Sequence, residues 1–128
     1  MGTVQSYKDL LIWQKGIEIV KEVYSICAEL PKDEIFVLQS QLKRSSISIS
    51  SNIAEGWWRN YTKSYVQFLS YSTGSLLELE TQLIIAQELS FILTEKFNRI
   101  QDLITEQSKM LNAFINAVKA NKCLLTLG

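Results

Sequence analysis

Histidine is absent from this chain, so the commonest proton-transferring side chain of enzymes is missing. Di-metal sites inside helical bundles also need Glu-x-x-His motifs, which cannot be built here. The sequence contains neither a GxSxG nucleophile turn nor a glycine-rich phosphate loop with its lysine. We therefore predict that the chain is not an enzyme and that it has no catalytic residues, no metal and no cofactor.

Cysteine is scarce as well. Cys27 and Cys123 lie far apart and form no CxxC pair, which indicates packing residues in a reducing compartment, not a disulfide or zinc site. The N-terminal residues lack a basic segment followed by an apolar one, and charged side chains interrupt the apolar runs. We expect no signal peptide, no membrane-spanning segment and a cytoplasmic location.

Net charge is also lacking, because 13 Lys and Arg balance 13 Asp and Glu. A dedicated nucleic-acid binder usually has a basic excess, since its affinity comes largely from displacing counterions from phosphates. The balance argues against a strong stand-alone binder but leaves room for a local basic patch. It is also compatible with self-association, because little charge keeps the chains apart.

One proline and five glycines in 128 residues leave few places to turn, which predicts a few long helices. Apolar periodicity places these helices at about 8–29, 34–58, 63–91 and 95–120, in a single domain. The connections are short enough for antiparallel neighbours. The predicted fold is therefore all-α, an antiparallel up-down-up-down four-helix bundle.

Each predicted helix has one apolar seam. For the first helix we predict Leu10, Trp13, Ile17, Val20, Tyr24 and Cys27, and for the second Phe36, Leu38, Leu42, Ile49 and Ile53. Asp33 is the predicted N-cap of the second helix, and Gly56 with the sequence around Asn60 marks its end. The third seam comprises Tyr65, Leu69, Ser72, Leu76, Leu79, Leu83 and Ala86, and the fourth Phe97, Ile100, Ile104, Leu111, Phe114 and Val118.

Apolar side chains also lie partly off the first and third seams. They are Tyr7, Leu11, Ile12, Phe68, Tyr71, Leu77 and Ile84. Stripes wider than one bundle requires are typical of subunits that bury a second face against another copy. We therefore expect a homo-oligomer, and the alternative is a monomer with a broad core.

Serines crowd the second helix at positions 45, 46, 48, 50 and 51. A buried helical serine donates its hydroxyl to a carbonyl one turn earlier, and its small size lets a neighbouring helix come close. No histidine exists to activate one of these hydroxyls as a nucleophile. The serines therefore predict a tight helix–helix contact.

An antiparallel hairpin of helices two and three, turning near Asn60, brings Arg44 close to Glu78 and Asn52 close to Leu69. Glu55 lies one helical turn from Arg59, so these two can also form an ion pair. Partly buried polar pairs of this kind fix helix register, which is the structural interpretation of Arg44, Glu78, Asn52 and Glu55. A binding pocket is the alternative.

Cations and aromatic rings gather around the end of the second helix. The candidate binding residues are Lys43, Arg44, Trp57, Trp58, Arg59 and Lys63. This mixture suits RNA or single-stranded DNA, and it suits a protein hot spot equally well. In the alternative interpretation the two tryptophans close the end of the bundle or lie in a subunit interface.

Three segments resemble a known family. They are YKDLLIWQKGIEI at 7–19, LPKDEIFVLQSQLKRSSISISSNIAEGWWR at 30–59 and FLSYSTGSLLELETQLIIAQEL at 68–89. In this order they are similar to the four-helix-bundle proteins encoded in intervening sequences of bacterial large-subunit ribosomal RNA genes. They resemble more distantly the accessory variability proteins of diversity-generating retroelements. The chain departs from the family pattern at Trp58, where glycine is commoner, and at Gly16, where alanine is usual.

The resemblance implies an antiparallel bundle that assembles into a ring, with five subunits expected. It brings no defined activity, although the retroelement relatives look like partners of a reverse transcriptase and of nucleic acid. Two hypotheses follow from the residues and the resemblance together. The first is a non-enzymatic oligomeric scaffold that binds a protein partner. The alternative is a ribonucleoprotein accessory that binds RNA through the basic and aromatic residues.

Overall fold

The computed structural model describes residues 4–59 and 61–120, and within these ranges the chain is an antiparallel bundle of four α-helices without strands. The helices are α1 (Leu11–Cys27), α2 (Ser40–Arg59), α3 (Thr62–Glu88) and α4 (Thr94–Ala120). Each helix packs against two neighbours, and α4 closes the bundle against α1. The predicted fold class is confirmed.

The α3 seam matches its prediction at every position, because all seven predicted residues are buried. The α4 seam is also buried at five of its six predicted positions, with Phe97 only partly covered. Gln107 is the polar member of that seam. It is fully buried, and its side-chain amide donates to the Ile12 carbonyl of α1 at 2.8 Å.

The predicted seam of the first helix is confirmed at its two ends, where Leu10 and Cys27 are buried, and is wrong between them. Tyr24 is 44% exposed, and Trp13, Ile17 and Val20 are only partly covered. The core face instead carries Ile12, Gly16, Ile19, Val23, Ile26 and Cys27. Apolar residues occur on both sides of this helix, so periodicity alone does not select a face. Gly16 determines which face packs in the core, because it has no side chain and α2 can therefore approach closely. The Ser50 hydroxyl of α2 occupies the space that a Cβ on residue 16 would need.

The beginning of the second helical segment also differs from its prediction. A 3-10 turn (Lys32–Glu34) and a π-helix (Ile35–Gln39) precede α2, and no side chain caps the π-helix. The Gln39 amide donates to the Cys27 carbonyl at 2.6 Å and so ties this segment to the end of α1. Phe36, predicted in the core, is 91% exposed because the wider π-helical turn changes the direction of its side chain.

Gly56 does not end α2, which continues to Arg59. It is buried where α3 crosses, and a Cβ on it would lie 2.8 Å from Cβ of Phe68. α2 ends at Arg59 and α3 begins at Thr62, in agreement with the predicted end around Asn60, a residue that itself lies outside the described ranges. The glycine therefore serves close helix contact instead of termination.

The connection between α3 and α4 is a compact turn. Ser90 adopts φ 63°, and the Phe91 amide donates to the Ala86 carbonyl at 2.9 Å. A left-handed residue followed by this backward hydrogen bond is a Schellman-type helix end. The turn directs α4 back along α3, as the short predicted connection requires.

Candidate functional site

The predicted basic–aromatic residues do not form one surface. Lys43 and Arg44 lie near the start of α2, and Arg59 ends it. At 1.5 Å of rise per residue, about 23 Å of helix separates Arg44 from Arg59. The six side chains therefore divide into two groups at opposite ends of α2.

The two cations of the first group face different helices. Nζ of Lys43 lies 4.7 Å from the ring centre of Tyr24 on α1, a cation–π contact. Arg44 points the other way, forming an ion pair with Glu78 of α3 and donating to the Gln41 side chain at 2.7 Å. Both cations are thus engaged within the bundle surface.

The second group combines a packed tryptophan with an exposed one. Trp57 is partly buried against the core and meets the Tyr7 ring edge-to-face at 6.3 Å. Trp58 is 76% exposed. Arg59 pairs with Glu55 at 3.1 Å, and its guanidinium lies 4.9 Å from the Phe68 ring centre. The bundle-closing interpretation therefore describes Trp57, while Trp58 is open to a ligand.

The predicted polar pairs lie where the antiparallel register puts them. Arg44 meets Glu78, and Glu55 meets Arg59. Asn52 differs in detail, because its amide donates to the carbonyl of Ser48 at 2.9 Å, within its own helix. All four charged side chains are about half exposed, so these pairs line the surface and leave no buried charge.

The serine-rich stretch forms the tight contact that was expected. Ser50 donates to the Trp13 carbonyl of α1 at 3.1 Å, and Ser72 of α3 donates to the Ile49 carbonyl at 2.8 Å. Ser45 donates to the Gln82 side chain, also at 2.8 Å. Three buried hydroxyls thus reach neighbouring helices, so the serines join α1, α2 and α3 in one register.

Cys27 is the thiol within the described residues, and Cys123 lies outside them. Burial raises the pKa of the Cys27 thiol to about 11, the nearby Lys43 charge opposing this only partly. The thiol is thus protonated and a poor nucleophile or metal ligand at neutral pH. In residues 4–59 and 61–120 no group of acidic, histidine or cysteine side chains is arranged to hold a metal ion. Among the helices of residues 4–59 and 61–120, none combines the length with the apolar composition that a membrane span needs.

A groove between α3 and α4 was not predicted. Two adjoining cavities of about 420 and 440 Å³ share Ser70 and Lys119. We name this feature the lysine groove. Its lining residues are Thr62, Lys63, Val66, Gln67, Ser70, Thr73, Ser108, Lys109, Asn112, Ile115, Asn116 and Lys119. Lys63 is the one predicted site residue that it contains.

The end of the bundle opposite Trp58 exposes apolar side chains. Phe36 and Val37 of the π-helix are 91% and 64% exposed, and Ile84, Ile85 and Leu89 at the end of α3 are 45–55% exposed. The antiparallel register of α2 and α3 brings these five residues, which we name the apolar end, to the same end of the hairpin. Periodicity placed Ile84 off the α3 seam but assigned Phe36 to the core, so it predicted only part of this region.

A second exposed apolar region lies midway along the same hairpin. The hydroxyls of Ser48 and Ser75 form a 2.9 Å hydrogen bond between α2 and α3. Ile47 directly precedes Ser48, and Leu77 lies two residues after Ser75; they are 45% and 57% exposed. We give the name hairpin face to these two residues together with Tyr71, 49% exposed, because all three lie midway along the hairpin; Leu77 also lines a cavity against Ile104 and Lys109 of α4. Of these three, Tyr71 and Leu77 belong to the off-seam residues from which self-association was predicted.

Comparison with known proteins agrees with this architecture. A crystal structure from Bacteroides thetaiotaomicron, described as a protein of unknown function from the S23 ribosomal protein family, superposes with a TM-score of 0.76. It is 24% identical, and the match covers 82% of this chain and 98% of that one, which shows a shared fold. No curated protein matches.

The profile of the 23S rRNA-intervening sequence proteins matches residues 8–113. Because that match spans most of the sequence, the chain belongs to the 23S rRNA-intervening sequence protein family.

Proposed function

We propose that this protein is a non-enzymatic scaffold that assembles into a homo-oligomeric ring and presents a composite surface to a protein partner. Five subunits are the number that the resemblance to its family implies. The observation that carries the proposal is the apolar end, above all the 91% exposed ring of Phe36. A large aromatic side chain in water is typical of a residue that another protein covers.

The position of Phe36 supports a docking role. It lies on a π-helix, an element that is often found at functional sites. Gln39 binds this element to α1, and Leu38 within it is buried, so the exposed ring is held on an anchored segment. An anchored aromatic side chain loses little conformational entropy when a partner covers it.

A ring needs two different complementary surfaces on each subunit, because a head-to-tail contact joins unlike patches. The apolar end and the hairpin face are two such regions, separated along the α2–α3 hairpin. We propose that the apolar end of one subunit packs against the hairpin face of the next. A two-fold dimer would instead bury the same patch on both copies.

The absence of enzymatic activity is part of the proposal. The sequence has no histidine, the Cys27 thiol is buried and protonated, and the buried serines that join the helices donate to carbonyls or an amide. These groups stabilise helix contacts and leave no activated nucleophile among the described residues.

RNA binding by the predicted basic–aromatic patch is the second candidate, and it has weaker support. Lys43 contacts Tyr24, Arg44 pairs with Glu78, and Arg59 pairs with Glu55. Three of the four cations in that patch must therefore leave a partner before they reach a phosphate. Lys63 is the exception, and it belongs to the lysine groove.

Complementation between two interface variants tests the ring. Phe36→Glu introduces a charge at the apolar end, and Leu77→Glu introduces one on the hairpin face. Each variant alone is expected to sediment as a monomer, because each loses one half of every contact. Mixed in equal amounts, they are expected to form a heterodimer, since one intact apolar end still meets one intact hairpin face.

Ser25→Glu is the matched control, because Ser25 is exposed on α1 and lies outside both surfaces and outside the off-seam apolar residues. It is expected to keep the mass of the unaltered protein. Monomers that stay monomers on mixing would contradict a head-to-tail contact between these two surfaces. Oligomers unaffected by both substitutions would show that neither region is the interface.

A further inference from the structure

The lysine groove has a charge pattern that self-assembly does not explain. Along residues 62–77 of α3 and 107–120 of α4, the charged side chains are Lys63, Lys109 and Lys119, with no acid among them. None of the three has a carboxylate partner, which is also true of Lys21 and Lys32, whereas five other cations of the described chain have one: Lys15, Arg44, Arg59, Lys96 and Arg99. A neutral chain thus collects uncompensated positive charge in one groove.

The remaining lining of the groove suits phosphate. Side chains of Thr, Ser, Asn and Gln line it, with Val66 and Ile115 as the apolar members, both partly packed on the core. Hydroxyl and amide groups donate hydrogen bonds to phosphate oxygens, next to lysine charges. An acidic amphipathic helix would instead need a row of apolar pockets for its anchors, and two half-covered side chains do not provide one.

Two exposed aromatic residues lie close in sequence to Thr62 and Lys63, which line one end of the groove. Tyr61, 72% exposed, directly precedes Thr62 and Lys63, and Trp58, 76% exposed, lies just before the same α2–α3 turn. Lys109 and Lys119 are ten residues apart on α4, a rise of about 15 Å along the groove. Backbone-tracking cations beside exposed aromatic rings are the combination that holds single-stranded nucleic acid.

We propose that the lysine groove binds single-stranded nucleic acid. Lys63 and Lys119 neutralise phosphates at one end of the groove and Lys109 a phosphate further along the strand, and Trp58 and Tyr61 stack unpaired bases where the strand leaves the groove. The recognition is independent of sequence, because phosphates and the faces of bases carry no base-edge pattern. This function goes beyond the proposed ring and does not require it, although several copies of a modest site in one assembly would increase avidity.

Fluorescence anisotropy of a fluorescein-labelled oligouridylate of about twelve nucleotides, a length within known single-strand site sizes, tests the proposal. The affinity is measured for the full chain between about 50 and 200 mM salt, where counterion release is readily resolved. We compare Lys63→Gln/Lys119→Gln with Lys21→Gln/Lys32→Gln, which removes the same charge from exposed lysines outside the groove.

A plot of log affinity against log salt has a negative slope, and the groove variant is expected to make this slope shallower by about 1.4. Each phosphate contact to a single strand contributes about 0.7 to the steepness, and the variant removes two. The control variant is expected to leave the slope unchanged. Trp58→Ala is expected to weaken binding at least about fivefold without changing the slope, because stacking releases no counterions. Circular dichroism and sedimentation of each variant verify the fold and the assembly.

Equal weakening by both lysine pairs would overturn the groove as the site, and so would an absence of binding at the lowest salt concentration. A labelled oligoglutamate of matched charge that binds as tightly as the oligouridylate, and is unaffected by Trp58→Ala, would identify a general anion surface and overturn the nucleic-acid assignment. A monomeric protein that still binds through the groove would refute the ring alone, so the two proposals fail separately.

Discussion

At the scale of single residues, two helical glycines have opposite surroundings. Gly56 is buried where α2 crosses α3, and an added Cβ would lie 2.8 Å from Cβ of Phe68 and 3.1 Å from the Tyr65 ring. Gly74 is exposed on α3, and nothing lies within 4 Å of its added Cβ. The two positions therefore separate the packing cost of a methyl group from its benefit to helix formation.

We expect Gly56→Ala to destabilise the protein by about 1–3 kcal/mol, because helix backbones must move apart. We expect Gly74→Ala to stabilise it by about 0.5–1 kcal/mol, because alanine is the better helix former and meets no atom. Urea unfolding of the two variants measures both effects. Equal effects of the same sign would contradict the close crossing at Gly56.

Cys27 makes stability depend on alkaline pH. Its folded pKa of about 11 lies above the ordinary value of 9.0, so the protonated thiol stabilises the fold fully below pH 9. This contribution is lost as the pH rises through about 11. The free energy of unfolding is therefore expected to fall by about 2 kcal/mol on account of this thiol near pH 10.5.

Comparison with Cys27→Ala isolates the thiol from lysines and tyrosines that titrate nearby, Tyr65 among them, whose pKa is also raised by burial. Urea unfolding at about pH 8 and about pH 10.5 should show the stability advantage of the native chain shrinking at the higher pH. An advantage that stays constant would show that the buried thiol does not titrate in this range.

At the scale of helices, the sequence was most informative where one heptad-spaced seam runs unbroken along the helix. The α3 seam was predicted at all seven positions because its residues keep this spacing throughout, although Phe68, Tyr71, Leu77 and Ile84 lie off it. On α1 two apolar faces compete, and the choice depends on which face α2 approaches, which is a property of tertiary packing. Gly56 was misread for the same reason, since a glycine at a close crossing and one at a helix end look alike without the partner helix.

The Arg44–Glu78 pair was predicted from hairpin register, but it is not expected to hold the hairpin together. Both side chains are about half exposed, and surface ion pairs contribute about 0.2–1 kcal/mol. A double-mutant cycle with Arg44→Ala and Glu78→Ala should therefore give a coupling energy below about 1 kcal/mol, decreasing with salt. A coupling of several kcal/mol, insensitive to salt, would make this pair a determinant of register.

At the scale of the whole molecule, the polar and apolar surface features are separated along the bundle. The apolar end lies at the beginning of the π-helix and the end of α3, whereas Trp58, Tyr61 and the lysine groove lie toward the other end. The apolar end is thus remote from the groove, whereas the hairpin face lies between them, and its Leu77 shares a cavity with Lys109. Assembly and nucleic-acid binding are therefore tested by separate variants.

The sequence predicted the bundle better than its sites, and the reason is distance along the chain. Lys63 and Lys119 lie on different helices, and their common groove exists only after α4 packs against α3. The predicted patch relied on neighbours within one helix, such as Lys43 and Arg44, which the fold directs to opposite sides. Local periodicity determines helix faces, but it carries no information on which faces converge.

Sedimentation velocity of the full chain at micromolar concentration tests self-assembly, the central claim, most directly. The proposed ring predicts a single species with five times the 14.7 kDa chain mass, which Phe36→Glu converts to the monomer. A native chain that sediments as a 14.7 kDa monomer at micromolar concentration would contradict the proposed self-assembly.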